Sequence, residues 1–414
     1  MDELRKIETL TEAAGLSTTP LSAESYRSAA FYDLERERIF RRAWLVMGRV
    51  EAIPQPGDYF VKTIEVLDAS LILTRTKDGA IRGFHNVCSH RQNQLVPGET
   101  GNANRFVCRY HSWTYRNDGE LIAVPDEARF FDLDKKKCGL TPVAVEVWEG
   151  WIFANLTPEP EVSLAEFLGD FGTSHRDLPY PNPERALVLT GEFQANWKTV
   201  ADAFSEAYHI RTIHAKTLAP VYTGAANPYG RPISAEVYGP HRSLSTWVNP
   251  EFAPPERALV EKWLYPQART VTGTGKTEET NRVAMHPAVN PTKSPEWASD
   301  VKWLFPNFHI HVSATMFWTH QFWPTGPRTA RWEGRFYMPV ARTARERLQQ
   351  EHYVSHMTDI MLEDVMNIES TQRGMNSGAK DLLHIQDGEI MVRHSLQQVE
   401  RWAKAATVRE ALAP

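Results

Sequence analysis

The sequence predicts an α+β protein in which a small all-β domain, residues 45–156, precedes a larger domain, residues 157–414, built from a sheet with helices packed on it. An N-terminal helical segment, residues 1–44, comes first and is expected to pack on the larger domain. Three observations carry this reading. The hydrophobic period changes from helical to two near Asp58. After Leu156 the chain turns Pro-rich and acidic, TPEPEV and then LPYPNPE, as at a domain exit. A second set of aromatic strands then leads into a long helical pattern.

From Ser22 to Trp44 the pattern SAESYRSAAFYDLERERIFRRAW is helical, with Phe31, Phe40 and Trp44 set among charges. DYFVKTI, SLILTRT and AIRGFHNVC alternate as strands, broken by Asp78-Gly79. RFVCRYHSWTY, an Asn-Asp-Gly turn at Asn117–Gly119 and VAVEVWEGWIFANL complete the β domain. Beyond the exit, ALVLTGEF reads as a strand that runs into a helix starting near Asn196. VKWLFPNFHIHVSA, TMFWTHQFWP and ARWEGRFYMP read as strands, and a helix is expected over about 341–373. VTGTGKTEET, residues 271–280, reads as a surface loop; its GTGK lacks the full Gly spacing of a phosphate loop and no strand leads into it.

A chain of 414 residues is long enough for two to three domains and a large core. With 46 Lys plus Arg against 51 Asp plus Glu, the net charge of −5 argues against nucleic acid or an anionic membrane as partner. Three cysteines make no disulfide framework, the start MDELRKIETL lacks the apolar core of a secretory signal, and no stretch is long and apolar enough to span a bilayer, so a cytoplasmic location is expected. Against 3 Cys stand 15 His, so imidazole should dominate any metal ligation.

Inside the β domain, Cys88-x-His90 and Cys108-x2-His111 are two matched pairs on loops between strands, able to converge on one site. Structural zinc, within a zinc-stabilised binding module, is one reading, although zinc sites more often pair Cys with Cys and His with His. One Cys and one His per loop suits a two-iron cluster with both thiolates on one iron and both imidazoles on the other. Cys138 has no partner at ligand spacing and reads as a buried small residue.

In the second half, Glu206, His209 and His214 lie within NWKTVADAFSEAYHIRTIH. On an ideal helix His209 and His214 are about 140° apart, so the helix must end or bulge before His214 if they share a metal. On the C-terminal helix, Met357, Ile360, Met361 and Ile368 form an apolar stripe with Asp364 in its middle, whereas Glu363 falls to the side and can reach water. A buried carboxylate needs a cation facing it, either an Arg or a metal. His209, His214 and Asp364 together make a 2-His-1-carboxylate set suited to non-heme Fe(II).

The order of these motifs, the Cys/His pairs, then Asn-Trp-Lys before Glu-x-Tyr-His-x4-His, then Glu-Asp before Glu-x2-Gln-Arg-Gly, resembles the catalytic (alpha) subunit of Rieske non-heme iron oxygenases over roughly residues 25–378. The resemblance implies a Rieske domain, then a catalytic domain whose curved antiparallel sheet is covered by helices. It implies a Rieske 2Fe-2S cluster on Cys88, His90, Cys108 and His111, and a mononuclear Fe(II) on His209, His214 and Asp364. It further implies a head-to-tail homotrimer, in which Glu206 bridges His209 and the neighbour's His111, and leaves a separate beta subunit open.

Three positions depart from the commonest family pattern. Glu206 stands where many members have Asp, Asp202 near where an Asn often lies beside the iron, and Arg109 and Ser112 where Pro and Gly are frequent. The implied activity is that of a terminal oxygenase component, taking electrons from NAD(P)H through a separate ferredoxin or flavin reductase, because no dinucleotide fingerprint follows a strand here. Its substrates would be O2 and a small organic, aromatic molecule. Oxidative N- or O-dealkylation, as of a quaternary amine or aryl ether, is the alternative. Phe308, His309, His311, Phe317, Trp318 and His320 are candidates for the pocket wall or for plain core.

Overall fold

The computed structural model describes residues 9–179, 185–264, 283–313, 317–338 and 340–413. The loop expected at 271–280 lies outside the described residues. The chain forms two compact units: residues 34–167 with 405–411, and residues 1–33 with 168–404 and 412–414. The expected boundaries at 44 and 156 thus fall inside a unit, and a short C-terminal stretch is shared with the first one.

The continuous helix expected over Ser22–Trp44 is broken. Leu21–Ser22 (β1) instead pairs antiparallel with Leu382–Leu383, and Glu24–Tyr26 forms a 3-10 turn. A helix runs only over Ala29–Leu34 and widens to a π-turn over Glu35–Phe40.

The first unit is all-β. Its strands are β2 (Leu45–Arg49), β3 (Asp58–Ile64), β4 (Ala69–Arg75), β5 (Ile81–His85), β6 (Thr100–Asn102), β7 (Arg105–Val107), β8 (Thr114–Arg116), β9 (Leu121–Ala123), β10 (Pro142–Trp148) and β11 (Trp151–Asn155). Seven form one sheet in the order β2-β11-β10-β5-β4-β3-β6, and β7-β8-β9 form a second. The predicted turns are where the glycines require them, with φ +85° at Gly79 and +93° at Gly119, a region open to glycine at little cost.

The second unit contains β12 (Arg185–Phe193), β13 (Ser234–Tyr238), β14 (His241–Trp247), β15 (Trp297–Leu304), β16 (Phe308–Val312), β17 (Phe317–Gly326) and β18 (Thr329–Met338). They make one curved antiparallel sheet in the order β12-β18-β17-β16-β15-β14-β13. The predicted late helix is Ala344–Asn376, opened by a Thr343/Glu346 capping box.

Every residue of β15 is buried, so its polar residues must be satisfied inside the protein. Lys302 donates from Nζ to Asp300 Oδ2 at 2.7 Å and to Ser243 Oγ at 2.8 Å. Ser245 Oγ and Trp297 Nε1 donate to the other Asp300 oxygen, at 2.6 and 2.8 Å. Both ion-pair side chains are sealed from water. Asp300→Ala should therefore cost about 3–5 kcal/mol of stability in chemical denaturation by stranding a buried ammonium. Asp381→Ala, which removes an exposed partner of Arg27, should cost no more than about 1 kcal/mol.

Candidate metal centres

The two Cys/His loops of the first unit repeat one backbone pattern. Cys88 N–H donates to Asn93 O at 2.9 Å, and Gln92 N–H donates back to Cys88 O at 2.9 Å. Cys108 N–H donates to Trp113 O at 2.8 Å, and Ser112 N–H to Cys108 O at 2.9 Å. Closing each loop places its fourth following residue in the left-handed region, φ +57° at Gln92 and +58° at Ser112. At Ser112 this is a conformation that glycine would adopt at no steric cost.

Both loops deliver their side chains to one place. Cys88 and Cys108 are buried and not disulfide-bonded. The His90 and His111 rings lie 4.5 Å apart, and His90 stacks on Trp113 at 5.0 Å. Nδ1 of His90 and Nδ1 of His111 are buried with no hydrogen-bond partner. Ser89 N–H donates to the Tyr115 hydroxyl at 2.9 Å, which leaves the Tyr115 O–H to point at Cys88 Sγ, 3.3 Å away. Burial and this contact with Cys88 push the Tyr115 phenol above its ordinary range. Asn93 Nδ2 approaches Cys108 Sγ at 3.8 Å. Sequence reasoning did not single out Tyr115 or Asn93; Tyr115 lies seven residues after Cys108, on the strand that closes the loop. Cys138 is half-buried against the same core and apart from these contacts.

In the second unit the helix predicted near Asn196 is Trp197–Ala203, capped by Asn196. It stops well before His209, and a single helical turn, Ile210–Ile213, then separates His209 at its start from His214 at its end. That break removes the angular mismatch of an unbroken helix. His209 Nε2 and His214 Nε2 lie 3.2 Å apart, and Asp364 Oδ1 is 3.5 Å from the first and 3.1 Å from the second. Asp364 is 5% exposed, in line with Ile360, Met361 and Ile368 along the buried stripe of its helix.

Each imidazole is fixed from behind. His209 Nδ1 pairs with Glu206, whose carboxylate also accepts from His209 N–H at 3.2 Å. His214 Nδ1 pairs with Glu363 Oε2 at 2.7 Å, and Thr217 Oγ1 donates to the same oxygen at 2.6 Å. Glu363 was expected to reach water; it is half-buried, its carboxylate held by His214 and Thr217. Sequence reasoning missed both Glu363 and Thr217.

With both Nδ1 protons committed to carboxylates, the two Nε2 atoms carry lone pairs directed at each other and at an anionic oxygen. Three acceptors within 3.5 Å need a cation between them. Burial opposes charge on His214, but Asp364 and Glu363 outweigh it and hold its pKa above the ordinary value. Among the described residues these three form the one group with metal-ligand spacing, their donor atoms within 4.8 Å of one another. Donors about 2.1 Å from a shared ion are roughly 3.0–3.4 Å apart in octahedral or tetrahedral arrangement, which fits.

Asp202 is not part of this group. Its Oδ2 accepts from the Tyr26 hydroxyl at 2.5 Å, and burial pushes its pKa up to about 7.

The pocket-wall candidates divide by strand alternation. Across the sheet, His309 faces His320 and His311 faces Trp318 in register. Phe204, at the end of the Trp197–Ala203 helix, packs on His320 at 4.5 Å, and Tyr353 of the long helix packs on Phe336 at 6.4 Å. The end of the Trp197–Ala203 helix and the long helix that carries Asp364 therefore cover one sheet face, which holds His309, His311, Trp318 and His320. Phe308 and Phe317 point to the other face, where Phe317 stacks on Tyr337 at 4.5 Å.

Two protein-family models match the chain: a Rieske [2Fe-2S] domain over residues 43–145 and the catalytic domain of ring hydroxylating alpha subunits over residues 168–405. The large oxygenase component of a naphthalene 1,2-dioxygenase system from Pseudomonas aeruginosa is 40% identical over 196 residues, 45% of this chain and 42% of that protein. A glycine betaine monooxygenase oxygenase subunit from Pseudomonas aeruginosa is 32% identical over 195 residues, 47% of this chain and 44% of the relative. The matches span less than half the length of these curated relatives. The crystal structure of naphthalene 1,2-dioxygenase from Rhodococcus sp. bound to indole has the same fold, with a TM-score of 0.75 and 24% identity, covering 98% of this chain and 99% of that one.

The cofactors these two domains imply are a Rieske cluster and a mononuclear non-heme iron. The chain fits both: the unpartnered Nδ1 atoms of His90 and His111 beside two buried thiols suit the first, and the three converging acceptors suit the second. No helix among the described residues is long and apolar enough to cross a membrane. Glu363→Gln should weaken Fe(II) affinity at the second centre about 10- to 100-fold, by withdrawing the charge that holds His214. Iron titration into chelator-stripped protein measures this, with the visible absorption of the cluster unchanged.

Proposed function

The chain belongs to the ring hydroxylating alpha-subunit family, and on that premise we propose that it is the terminal oxygenase component of an NAD(P)H-dependent system that uses O2 to hydroxylate a small aromatic substrate. The observation that carries the reading is the His209–His214–Asp364 group, each imidazole tied by a carboxylate, beneath which lies an aromatic sheet face. An iron held by two His and one carboxylate supplies open positions for O2 and an organic substrate, and a Rieske cluster supplies single electrons.

The chain's own residues do the rest. Glu206 and Glu363 hold the imidazoles in the tautomer that presents Nε2. Asp364 contributes the negative charge that keeps a cation in place. Phe204, Trp318 and Phe336 offer flat apolar walls that exclude water and orient a planar ring. Tyr115 O–H and Asn93 N–H, aimed at the two sulfurs, would stabilise added negative charge there and so raise the cluster's readiness to accept an electron.

Electrons would arrive through a separate ferredoxin or flavin reductase. In a head-to-tail homotrimer, Glu206 would also accept from His111 of the partner subunit, linking the two centres. Asp202 is assigned no step in this scheme.

The likeness to a glycine betaine monooxygenase supports a second reaction at the same centre, oxidative N- or O-dealkylation. Aerobic turnover with labelled O2 separates the two, using aromatic acids, neutral arenes, aryl ethers and quaternary amines with products read by mass spectrometry. Label from O2 in a hydroxylated ring is the expected result; formaldehyde release would favour dealkylation. The protein itself should be red-brown with about three irons per chain. A colourless, zinc-containing protein without O2 uptake would overturn the oxygenase reading in favour of a zinc-stabilised binding module.

A further inference from the structure

The sheet face beneath the triad carries one charge that no hydrogen bond meets among the described residues. In register across β14 to β17, Arg242 faces Trp303, Trp303 faces His309 and His309 faces His320. This row belongs to the face on which Phe204 packs. Arg242 is 0% exposed, and Nε, Nη1 and Nη2 are all without a hydrogen-bond partner. Its guanidinium lies over the Trp303 ring at 4.2 Å, a contact that engages the flat side of the group and leaves its edge donors unused.

Other buried cations in this protein are matched. Arg49 pairs with Glu51 at 2.7 Å, Lys198 donates to Asn196 Oδ1 at 2.8 Å, and Lys302 has Asp300. Arg393 donates to the carbonyls of Ser17, Thr19 and Ile385 at 2.7–2.8 Å. Asp202 acts on Arg242 only through space, its carboxylate being engaged by Tyr26. Burial pushes the guanidinium down to about 9. His309, further along the row, is held neutral by burial and both its nitrogens are unpartnered.

A guanidinium left unpaired and dry is costly to the fold, and the anion that best matches its fork is a carboxylate. We propose that the substrate of this centre carries a carboxylate, which pairs with Arg242 while the rest of the molecule lies against the aromatic face beneath the triad. The proposal rests on the oxygenase reading for what happens to the bound molecule, but not for the binding itself. Arg242 has four rotatable bonds and, among the described residues, no hydrogen bond to break, so its edge donors can turn to an arriving anion. An aromatic acid and a betaine both supply this group; choline and naphthalene do not.

Calorimetric titration of the metal-loaded protein with benzoate, glycine betaine, choline and naphthalene tests the proposal without requiring turnover. Benzoate or glycine betaine should bind, and which of them binds tells the ring acid from the betaine. Arg242→Met should weaken that binding on the order of 10- to 100-fold, with the visible spectrum and iron content unchanged. Its Tm should stay level or rise, because an unmatched buried charge has been removed, whereas an Arg serving the fold would lower it. Arg242→Lys, which keeps the charge but not the fork, should lose less. Binding of choline or naphthalene but neither carboxylate, or unchanged benzoate affinity in Arg242→Met, would overturn the proposal and leave the oxygenase reading standing. Loss of the cluster colour and iron in the wild type would overturn that reading while the titration still scored Arg242.

Discussion

The second centre depends on one arrangement: two carboxylates behind two imidazoles. Glu206 and Glu363 take the Nδ1 protons of His209 and His214, so both Nε2 lone pairs converge on Asp364 Oδ1. Without those partners each ring could flip or change tautomer, and the three acceptors would not stand together. The fold supplies this arrangement from distant stretches. A helix that stops at Ala203, a single turn between the histidines and one stripe of the Ala344–Asn376 helix are held on the same sheet face by Phe204 and Tyr353.

The first centre uses repetition instead. Two loops close with the same hydrogen bonds and the same left-handed fourth residue, so one Cys and one His are presented twice in matching geometry. A chain that tolerates Ser112 at φ +58° accepts local strain to keep the loop. The surrounding donors, Tyr115 and Asn93, face sulfur and leave Nδ1 of His90 and Nδ1 of His111 without hydrogen-bond partners.

Much of this was legible in the sequence, and the parts that were not share a cause. The two sheets could be read from alternation, and the buried position of Asp364 from the stripe of Ile360, Met361 and Ile368, because period reports which face of an element meets the core. The break between His209 and His214 follows from helix geometry once the two are taken to share a metal. The Ser22–Trp44 helix starts late because Leu21–Ser22 pairs with a strand some 360 residues away, a contact no local pattern encodes, and Glu24–Tyr26 forms only a 3-10 turn. Glu363 was assigned to solvent by the same helical wheel that placed Asp364 correctly, since a wheel cannot represent a ligand site that holds both neighbours. Phe308 and Phe317 stand on the opposite face from His309 and Trp318, as alternation along a strand requires of adjacent residues. Arg242 passed unnoticed because its row exists only through cross-strand register.

The central claim, that one chain carries two separate iron centres on these particular side chains, is tested most directly by anomalous X-ray scattering from crystals of the protein measured at the iron and zinc absorption edges. The expected map shows an iron pair between Cys88, Cys108, His90 and His111 and a single iron enclosed by His209, His214 and Asp364. Zinc scattering at the first position, or no anomalous density among the three residues of the second, would contradict it.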